Sequence, residues 1–372
     1  MRIGVPKEIK VQEYRVGMIP ANVREATAHG HDVFIQTGAA ERQGLSDDDY
    51  RRAGATIVPS AEEVFGEAEL IVKVKEPQPQ EIALMHGGQA LFTYLHLAAD
   101  PAQAKGLMES GVTAIAYETV TDMRGRLPLL SPMSEVAGRM SVQVGAHCLE
   151  MEQGGRGMLP GGVAGVEPAN VVVLGGGVAG SSAVRMAIGV EAFVNCIDLN
   201  LGRLYELDSQ FGASLNTVFS TRQAIEDYVL KADLVIGTVL VPGAAAPKLI
   251  SADMVAAMKR GAVIVDVCID QGGCAETSRP TTHDQPTYIE HDVVHYCVTN
   301  MPSAVARTST FALNNATLPF VLAIADKGVL KALGDDPNLR NGLNVFQGKI
   351  THPEVAKALG IPETHVERAL GL

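Results

Sequence analysis

The sequence of 372 residues has little that would indicate a membrane, a nucleic acid or an extracellular environment. It contains no tryptophan, no lipidation box and no apolar run approaching the ~18 residues of a membrane span. Its first ten residues, MRIGVPKEIK, lack the apolar core of a signal peptide. Acidic residues outnumber basic ones by 42 to 30, and a net charge of −12 repels polyanions. We therefore expect a cytoplasmic protein without nucleic-acid or membrane partners.

The five cysteines are odd in number, mostly lie in apolar runs and show no C-x-x-C spacing; they are Cys148, Cys196, Cys268, Cys274 and Cys297. This pattern indicates neither a disulfide framework nor a zinc site, and we predict buried, inert thiols. A redox switch formed by Cys268 and Cys274 is the alternative.

The composition, with 47% hydrophobic and 19% charged residues, is that of a folded globular protein. The length of the chain predicts two domains. Continuous β-branched apolar runs alternate with helical stretches, which is typical of parallel sheets covered on both faces. A capping box, Ser60 with Glu63, opens one of the helices. The strands predicted in the first third are 2–5, 32–36, 56–58, 70–74, 89–95 and 113–118.

A second unit begins near Ser131-Pro132, where proline at the first helical position predicts a helix reaching about Gln153. Residues 154–168 are a Gly/Pro-rich connector. The next strands, at 170–174, 192–197, 216–219, 234–238, 262–267 and 296–299, match a six-stranded dinucleotide-binding pattern. We predict an α/β fold of two doubly wound Rossmann-like domains with a cleft between them. The first domain comprises 1–128 plus 307–372, and the second domain, which has the dinucleotide-binding strand pattern, comprises 129–306.

A glycine motif, G-x-G-x-x-G, follows the strand at 170–174 and precedes an apolar helix. Gly175 allows the tight turn, Gly177 lets a pyrophosphate approach, and Gly180 lets helix and strand pack closely. Asp198 ends the next strand, where a carboxylate binds ribose hydroxyls and repels a 2′-phosphate. This predicts NAD, although Arg203 leaves NADP open, and a structural turn that binds nothing is the alternative. A similar glycine stretch at 161–165 has no preceding strand and is predicted to be a loop.

Reactive side chains follow several predicted strands, where ligands of open α/β sheets bind. They are Arg15, Lys75, His96 and Asp270. An arginine grips a carboxylate, a lysine polarises a carbonyl and a histidine carries protons near neutral pH, which suits a small keto or amino acid. Each also has a structural alternative. Arg15 is then a surface cation, Lys75 a partner of Glu76, His96 a satisfied histidine under a helix, and Asp270 a cap of the next segment. The unpatterned stretch at 271–290 is long enough to predict a loop that shapes the cofactor site or a subunit contact.

Several long stretches together resemble the alanine dehydrogenase/transhydrogenase α-subunit family. They are MRIGVPKEIK with Arg15, KVKEP around Lys75, TYLHLA around His96, SPMSEVAGRM at 131–140, LGGGVAG, and VDVCIDQGGCAETSRPTTHDQPTY at 265–288. The resemblance implies reversible oxidative deamination of L-alanine to pyruvate and ammonium with NAD, by a cytoplasmic homohexamer. It implies that His96 and Asp270 are catalytic and that Arg15, Lys75, Tyr94 and Asn300 bind substrate.

The resemblance also implies a set of cofactor-binding residues: Ser134, Gly175, Gly177, Val178, Ala179, Gly180, Asp198, Arg203, Ser220, Val239, Leu240, Val267, Cys268, Ile269, Asp270, Arg279, Val298, Thr299, Asn300 and Met301. Some relatives hold magnesium with an acidic residue and a histidine on a late helix. Ala323 and Lys327 stand on that helix here, so we predict no metal. The alternative functions are the soluble nucleotide-binding subunit of a transhydrogenase and a non-catalytic NAD-binding oligomer.

Overall fold

The computed structural model describes residues 1–239 and 246–372, which form two units. Unit 1 consists of Met1–Met133 and Val305–Leu372, and unit 2 consists of Ser134–Ala304. Among the described residues, no helix is both long and apolar enough to cross a membrane.

Unit 1 is built on an eight-stranded sheet with the order β15-β14-β6-β5-β4-β1-β2-β3. Its strands are β1 (Arg2–Val5), β2 (Asp32–Gln36), β3 (Thr56–Val58), β4 (Leu70–Val72), β5 (Ala90–Thr93), β6 (Thr113–Ala116), β14 (Leu343–Phe346) and β15 (Lys349–Ile350). Strands β1 to β6 pair in parallel, and β14 and β15 add an antiparallel edge. The order of β1 to β6 is that of a doubly wound fold.

Helices and an apolar core cover this sheet. The helices are α1 (Pro20–Ala28), α2 (Asp47–Arg52), α3 (Ala61–Glu67), α4 (Pro79–Ile82), α5 (Pro101–Ser110), α6 (Ser131–Cys148), which continues into unit 2, and, near the C-terminus, α11 (Ala306–Lys327), α12 (Val329–Asp335), α13 (Pro337–Arg340), α14 (Pro353–Leu359) and α15 (Val366–Leu370). Ser60 caps α3 as predicted, because its side chain accepts the N–H of Glu63, but the contact from the Glu63 side chain that would complete the predicted capping box is not among the described contacts of this helix. Phe65, Leu91 and Val345 belong to one buried cluster that joins α3 to the sheet.

Unit 2 has a seven-stranded sheet with the order β12-β13-β11-β10-β7-β8-β9. Its strands are β7 (Asn170–Leu174), β8 (Phe193–Asp198), β9 (Asn216–Phe219), β10 (Leu234–Gly237), β11 (Val263–Asp266), β12 (Thr287–Glu290) and β13 (Val293–Tyr296). Its further helices are α7 (Val178–Gly189), α8 (Leu201–Phe211), α9 (Arg222–Val229) and α10 (Ala252–Ala257). Every pairing in this sheet is parallel except β12 with β13, so the predicted fold class is confirmed.

The sequence prediction was wrong at several element ends. The predicted strand 70–74 ends at Val72, because the N–H of Val74 is donated to the Glu8 carboxylate. The predicted strand 89–95 is Ala90–Thr93, and the N–H of Leu95 is donated to Glu118. The predicted strand 113–118 ends at Ala116, where a 3₁₀ turn begins. The helix predicted to reach Gln153 ends at Cys148.

The predicted strand 296–299 was placed too late, because the strand is Val293–Tyr296. Its antiparallel partner β12 lies inside the stretch that was predicted to be a loop. His291 and Asp292 make the turn between them with positive φ angles of 50° and 60°. This is the backbone of a tight hairpin without the Asn-Gly pair that usually marks one, so the sequence signal was weak.

Glycine at position 4 is required by packing between β1 and α3. A Cβ at Gly4 would lie 2.6 Å from the Ala68 Cβ and 2.8 Å from the Val64 Cγ1. We predict that Gly4→Ala destabilises unit 1 by about 1–3 kcal/mol through overpacking. The measurement is the midpoint of urea unfolding, followed by circular dichroism.

Gly66 in α3 is the matched control, because a Cβ built there would meet no described atom within 4 Å beyond its chain neighbours and the backbone of its own helix. Gly66→Ala should leave stability unchanged or raise it by about 0.5–1 kcal/mol, since alanine favours a helix interior. Equal destabilisation by both substitutions would contradict the packing argument.

Candidate functional site

The predicted site residues fall into one set in each unit. Arg15, Lys75, Tyr94 and His96 belong to unit 1, and each follows or ends a strand of its sheet. The predicted cofactor residues belong to unit 2. Leu240 lies outside the described residues.

Arg15 is buried and held by a carboxylate two residues before it. Only 2% of Arg15 is exposed, so its reading as a surface cation was wrong. Its Nε and Nη2 donate to the two oxygens of Glu13 over 2.7 and 2.5 Å. Burial acts to lower the pKa of Arg15, but Glu13 outweighs it and the pKa is raised. The guanidinium is therefore a fixed cation. Glu13 accepts from Nε and Nη2, whereas Nη1 lies 2.9 Å from the Met133 sulfur.

A second buried charge network fixes the backbone that carries Lys75. The Nζ of Lys73 lies 3.1 Å from a Glu8 oxygen and 2.6 Å from a Glu81 oxygen, and all three side chains are almost fully buried. The other Glu8 oxygen accepts the N–H groups of Val74, over 2.7 Å, and Lys75, over 3.3 Å. Glu8 thus holds the segment after β4 through both its charge and its backbone contacts.

The Lys75 ammonium group is mostly buried, with 15% of the side chain exposed and its Nζ 4.0 Å from an oxygen of Glu76. Burial lowers the pKa of Lys75; the nearby charges of Arg15 and Lys10 act in the same direction, and Glu76 opposes them. A cation that its surroundings stabilise poorly is available to pair with an anionic ligand.

His96 stands in a strained turn that a carboxylate supports. Its φ and ψ of 51° and 35° are in the left-handed region, which costs a residue other than glycine of order 1–3 kcal/mol. Glu118 accepts the His96 N–H over 2.6 Å and the Leu95 N–H over 3.2 Å. The exposed His96 ring is stacked against Tyr94, with centroids 6.0 Å apart, and the Tyr94 hydroxyl donates to the Leu129 carbonyl. The Tyr94 proton is thus already donated, and its ring supports the imidazole.

Unit 2 presents the expected cradle for a pyrophosphate. Gly175 has a φ of 96°, and a Cβ at Gly180 would lie 1.8 Å from the Gly175 carbonyl oxygen, so both positions need glycine. Gly177, just before α7, is exposed, and no described atom lies within 4 Å of a Cβ built there. This open backbone at a helix N-terminus fits an anionic phosphate.

Asp198 and Arg203 hold this turn from the neighbouring strand and helix. One Asp198 oxygen accepts the Gly176 N–H over 2.6 Å, and the other accepts the Asn200 N–H over 2.7 Å. The Nε of Arg203 donates to the Gly176 carbonyl over 2.6 Å, and its Nη1 pairs with Glu206. These contacts hold Arg203 at the same turn that the Asp198 carboxylate holds.

The other predicted cofactor residues follow strands of the same sheet or lie near it. Ser220 directly follows β9, and its N–H is donated to the Asp198 carbonyl. After β11 come the buried Cys268 and Ile269 and the exposed Asp270, which lies in a 3₁₀ turn. The Arg279 guanidinium stacks 3.7 Å from the centroid of Tyr288. Ser134 lies in α6, Val239 is partly buried after β10, and Val298, Thr299, Asn300 and Met301 follow β13.

Sequence reasoning missed the groups that hold these loops: Glu8, Glu13, Lys73, Glu118 and Asp266. One signal was available, because Lys73 interrupts the apolar run predicted as a strand. A charge at a buried position needs a buried counter-ion. Asp266 gave the same signal, because it interrupts the apolar run predicted as a strand at 262–267. For Glu118 we find no comparable signal, since its partners are the backbone N–H groups of Leu95 and His96.

Comparison with known proteins adds a full-length similarity. The sequence models "Alanine dehydrogenase/PNT, N-terminal domain" and "Alanine dehydrogenase/PNT, C-terminal domain" match residues 4–137 and 141–353. The chain is 57% identical over 371 residues to a protein of Halomonas elongata named alanine dehydrogenase, and the match covers 100% of both.

The fold is also that of solved structures. One named L-alanine dehydrogenase is similar with a TM-score of 0.94 and 53% identity, over 97% of this chain and 99% of that one. A transhydrogenase from Sinorhizobium meliloti shares the fold with a TM-score of 0.80 and 22% identity, over 95% of this chain and 99% of that one. These matches span both units, and the chain belongs to the alanine dehydrogenase/PNT family.

Proposed function

We propose that this chain catalyses the reversible, NAD-dependent oxidative deamination of L-alanine, giving pyruvate and ammonium. The observation that carries the proposal is the full-length similarity to proteins named alanine dehydrogenase. The chemistry of the unit 1 residues supports it, since an arginine, a lysine and a histidine at the carboxyl edge of one sheet suit a small amino acid or keto acid.

NAD is supported as cofactor by the residues of unit 2. The glycine turn at Gly175, Gly177 and Gly180 would hold the pyrophosphate, and Asp198 would hold the ribose hydroxyls. Bound there, NAD would accept the hydride from the Cα of alanine, and NADH would return it to the substrate in the reverse reaction.

The unit 1 residues would bind and orient the substrate. The Arg15 guanidinium, fixed by Glu13, would bind the substrate carboxylate, and Lys75 would bind the same carboxylate or the carbonyl oxygen of pyruvate. Burial lowers the pKa of Lys75 from its ordinary value, so pairing with an anionic substrate would restore stabilisation that burial removes.

The deamination itself needs a proton carrier. After alanine loses its hydride, the resulting iminium adds water, and His96 would take the proton of that water. Asp270 would stabilise the cationic intermediate and help pass protons as ammonia leaves. One alanine, one NAD and one water thus give one pyruvate, one ammonium, one NADH and one proton. Glu118 acts as a positioning residue, because it touches the backbone of His96 rather than the reacting atoms.

Turnover is tested by mixing the protein with pyruvate, ammonium and NADH and following nicotinamide absorbance. We expect NADH oxidation that requires both pyruvate and ammonium, and glyoxylate and oxaloacetate in place of pyruvate test the substrate range. NADH binding without oxidation would support a non-catalytic oligomer instead. Hydride exchange between NADH and an oxidised NADP analogue without pyruvate would support a transhydrogenase subunit.

We predict that His96→Ala lowers kcat by roughly 10²–10⁴ while the Kd of NADH stays within about twofold, because His96 carries protons and unit 2 holds the cofactor. Steady-state rates and the fluorescence of bound NADH measure the two quantities. His86→Ala is the matched control, since it removes an exposed histidine from the same unit. An unchanged kcat in His96→Ala would remove His96 from the mechanism.

The cofactor preference depends on the charge of Asp198. We predict that Asp198→Asn raises the Kd of NADH by roughly tenfold and narrows the preference over NADPH, because the amide retains an acceptor oxygen but no longer repels a phosphate. Fluorescence titration with each reduced cofactor measures this. Asp227→Asn removes an equal charge from an exposed helical site in the same unit and should change neither Kd. If Asp198→Asn kept the full preference for NADH over NADPH, the Asp198 charge would not be the cause of that preference.

A further inference from the structure

Unit 2 contains a buried cluster of two thiols and a carboxylate that the proposed reaction does not use as a group. Asp266 ends β11, Cys268 follows it, and Cys274 comes six residues later, after Gly272 and Gly273. One ligand atom from each of Asp266, Cys268 and Cys274 lies within 4.8 Å of the other two. The sequence analysis predicted no zinc site because the cysteines lack C-x-x-C spacing. The tertiary structure, rather than that spacing, brings these three residues together.

The donor set and its spacing suit a thiophilic cation. Thiolate and carboxylate are ligands that Zn²⁺ accepts, and tetrahedral Zn–S bonds of about 2.3 Å place two sulfurs about 3.8 Å apart, inside the 4.8 Å within which the three ligand atoms lie. The Cys268 Sγ donates its hydrogen to the Asp266 Oδ1 over 3.1 Å. A metal ion that replaces the thiol hydrogens would therefore bind the two sulfurs and the Asp266 oxygen close to their present positions.

The second oxygen of Asp266 is already held in the manner of a ligating carboxylate. Its Oδ2 accepts the Ser278 hydroxyl over 2.6 Å and the Cys274 N–H over 2.8 Å. Such outer contacts orient metal ligands and contribute to affinity. They leave Oδ1 as the oxygen directed to the thiols.

Neighbouring glycines make room for the ligand atoms. A Cβ at Gly237 would lie 2.2 Å from the Cys274 Sγ, and one at Gly273 would lie 2.7 Å from the Asp266 Oδ2. A side chain at either position would displace a donor from the cluster. Glycine at these two positions therefore leaves space for the Cys274 sulfur and for the Asp266 carboxylate.

We propose that Asp266, Cys268 and Cys274 bind one thiophilic divalent cation of the Zn²⁺ or Cd²⁺ class, with Ser278 as an outer-sphere partner. The two thiols lose their protons to solvent as two metal–sulfur bonds form, and no oxidant or reductant is involved. Cys268 is also a predicted cofactor residue, but the test measures metal binding without alanine, pyruvate or NAD, so failure of this proposal is distinguishable from failure of the proposed function.

The experiment titrates the full-length protein with Cd²⁺ in the presence of a phosphine reductant and follows cadmium–thiolate absorption in the ultraviolet, where the absence of tryptophan lowers the background. We expect saturation at one ion per chain with a Kd below ~1 µM, and loss of the absorption on adding excess Zn²⁺. Cys274→Ser should weaken binding by more than about 100-fold, and Ser278→Ala by roughly tenfold.

Cys148→Ser is the matched control, because it removes a buried thiol outside the cluster and should leave Cd²⁺ binding unchanged. Circular dichroism establishes that each variant is folded, and if Cys274→Ser fails to fold, the native protein and Ser278→Ala decide. Absence of saturable absorption in the native protein would overturn the proposal. Equal binding by the native protein and the folded Cys274→Ser variant would overturn it as well.

Discussion

Carboxylates that accept backbone N–H groups hold the loops at the carboxyl ends of the strands, and the candidate site depends on them. Such loops leave the parallel ladder, so their N–H groups need other acceptors when buried. In unit 1, Glu8 accepts from the segment of Lys75, Glu13 from that of Arg15 and Glu118 from that of His96. Arg15, Lys75 and His96 therefore each stand on a backbone whose N–H group is held by a nearby carboxylate.

The same arrangement recurs in unit 2. Asp198 holds the glycine turn through Gly176, and Asp266 holds the segment at Cys274 and Ala275. Hydrogen bonds to a charged acceptor are stronger than neutral ones, so a loop held in this way is well ordered. It also allows conformations that would otherwise be costly, as the left-handed His96 shows.

These carboxylates explain how much the sequence could predict. Strand periodicity and the glycine motif identified the doubly wound sheets and the turn at Gly175, because both depend on local patterns. The position of His96 after a strand was also a local signal. Its support by Glu118 was not, because that contact joins residues 22 positions apart. The hairpin at His291 and Asp292 escaped prediction because the pair lacks the glycine that usually marks such a turn, although histidine and aspartate both tolerate the left-handed region.

The cluster at Asp266 is a second case in which contacts between residues apart in sequence could not be predicted. Spacing arguments considered Cys268 and Cys274 as neighbours in sequence, whereas the tertiary structure adds a buried carboxylate to them. The position of Asp266 in an apolar run indicated a buried charge, but only the folded chain shows which groups that carboxylate contacts. The role of an acidic residue at a strand end depends on its contacts: Asp198 holds the glycine turn, whereas Asp266 contacts two cysteines.

A double-mutant cycle on Glu118 and His96 tests most directly whether a carboxylate acts through the loop it holds. If Glu118 positions His96, Glu118→Ala should lower kcat in the native background and have almost no further effect in the His96→Ala background. Equal, additive losses of kcat in the two backgrounds would contradict the account and assign Glu118 a role independent of the imidazole.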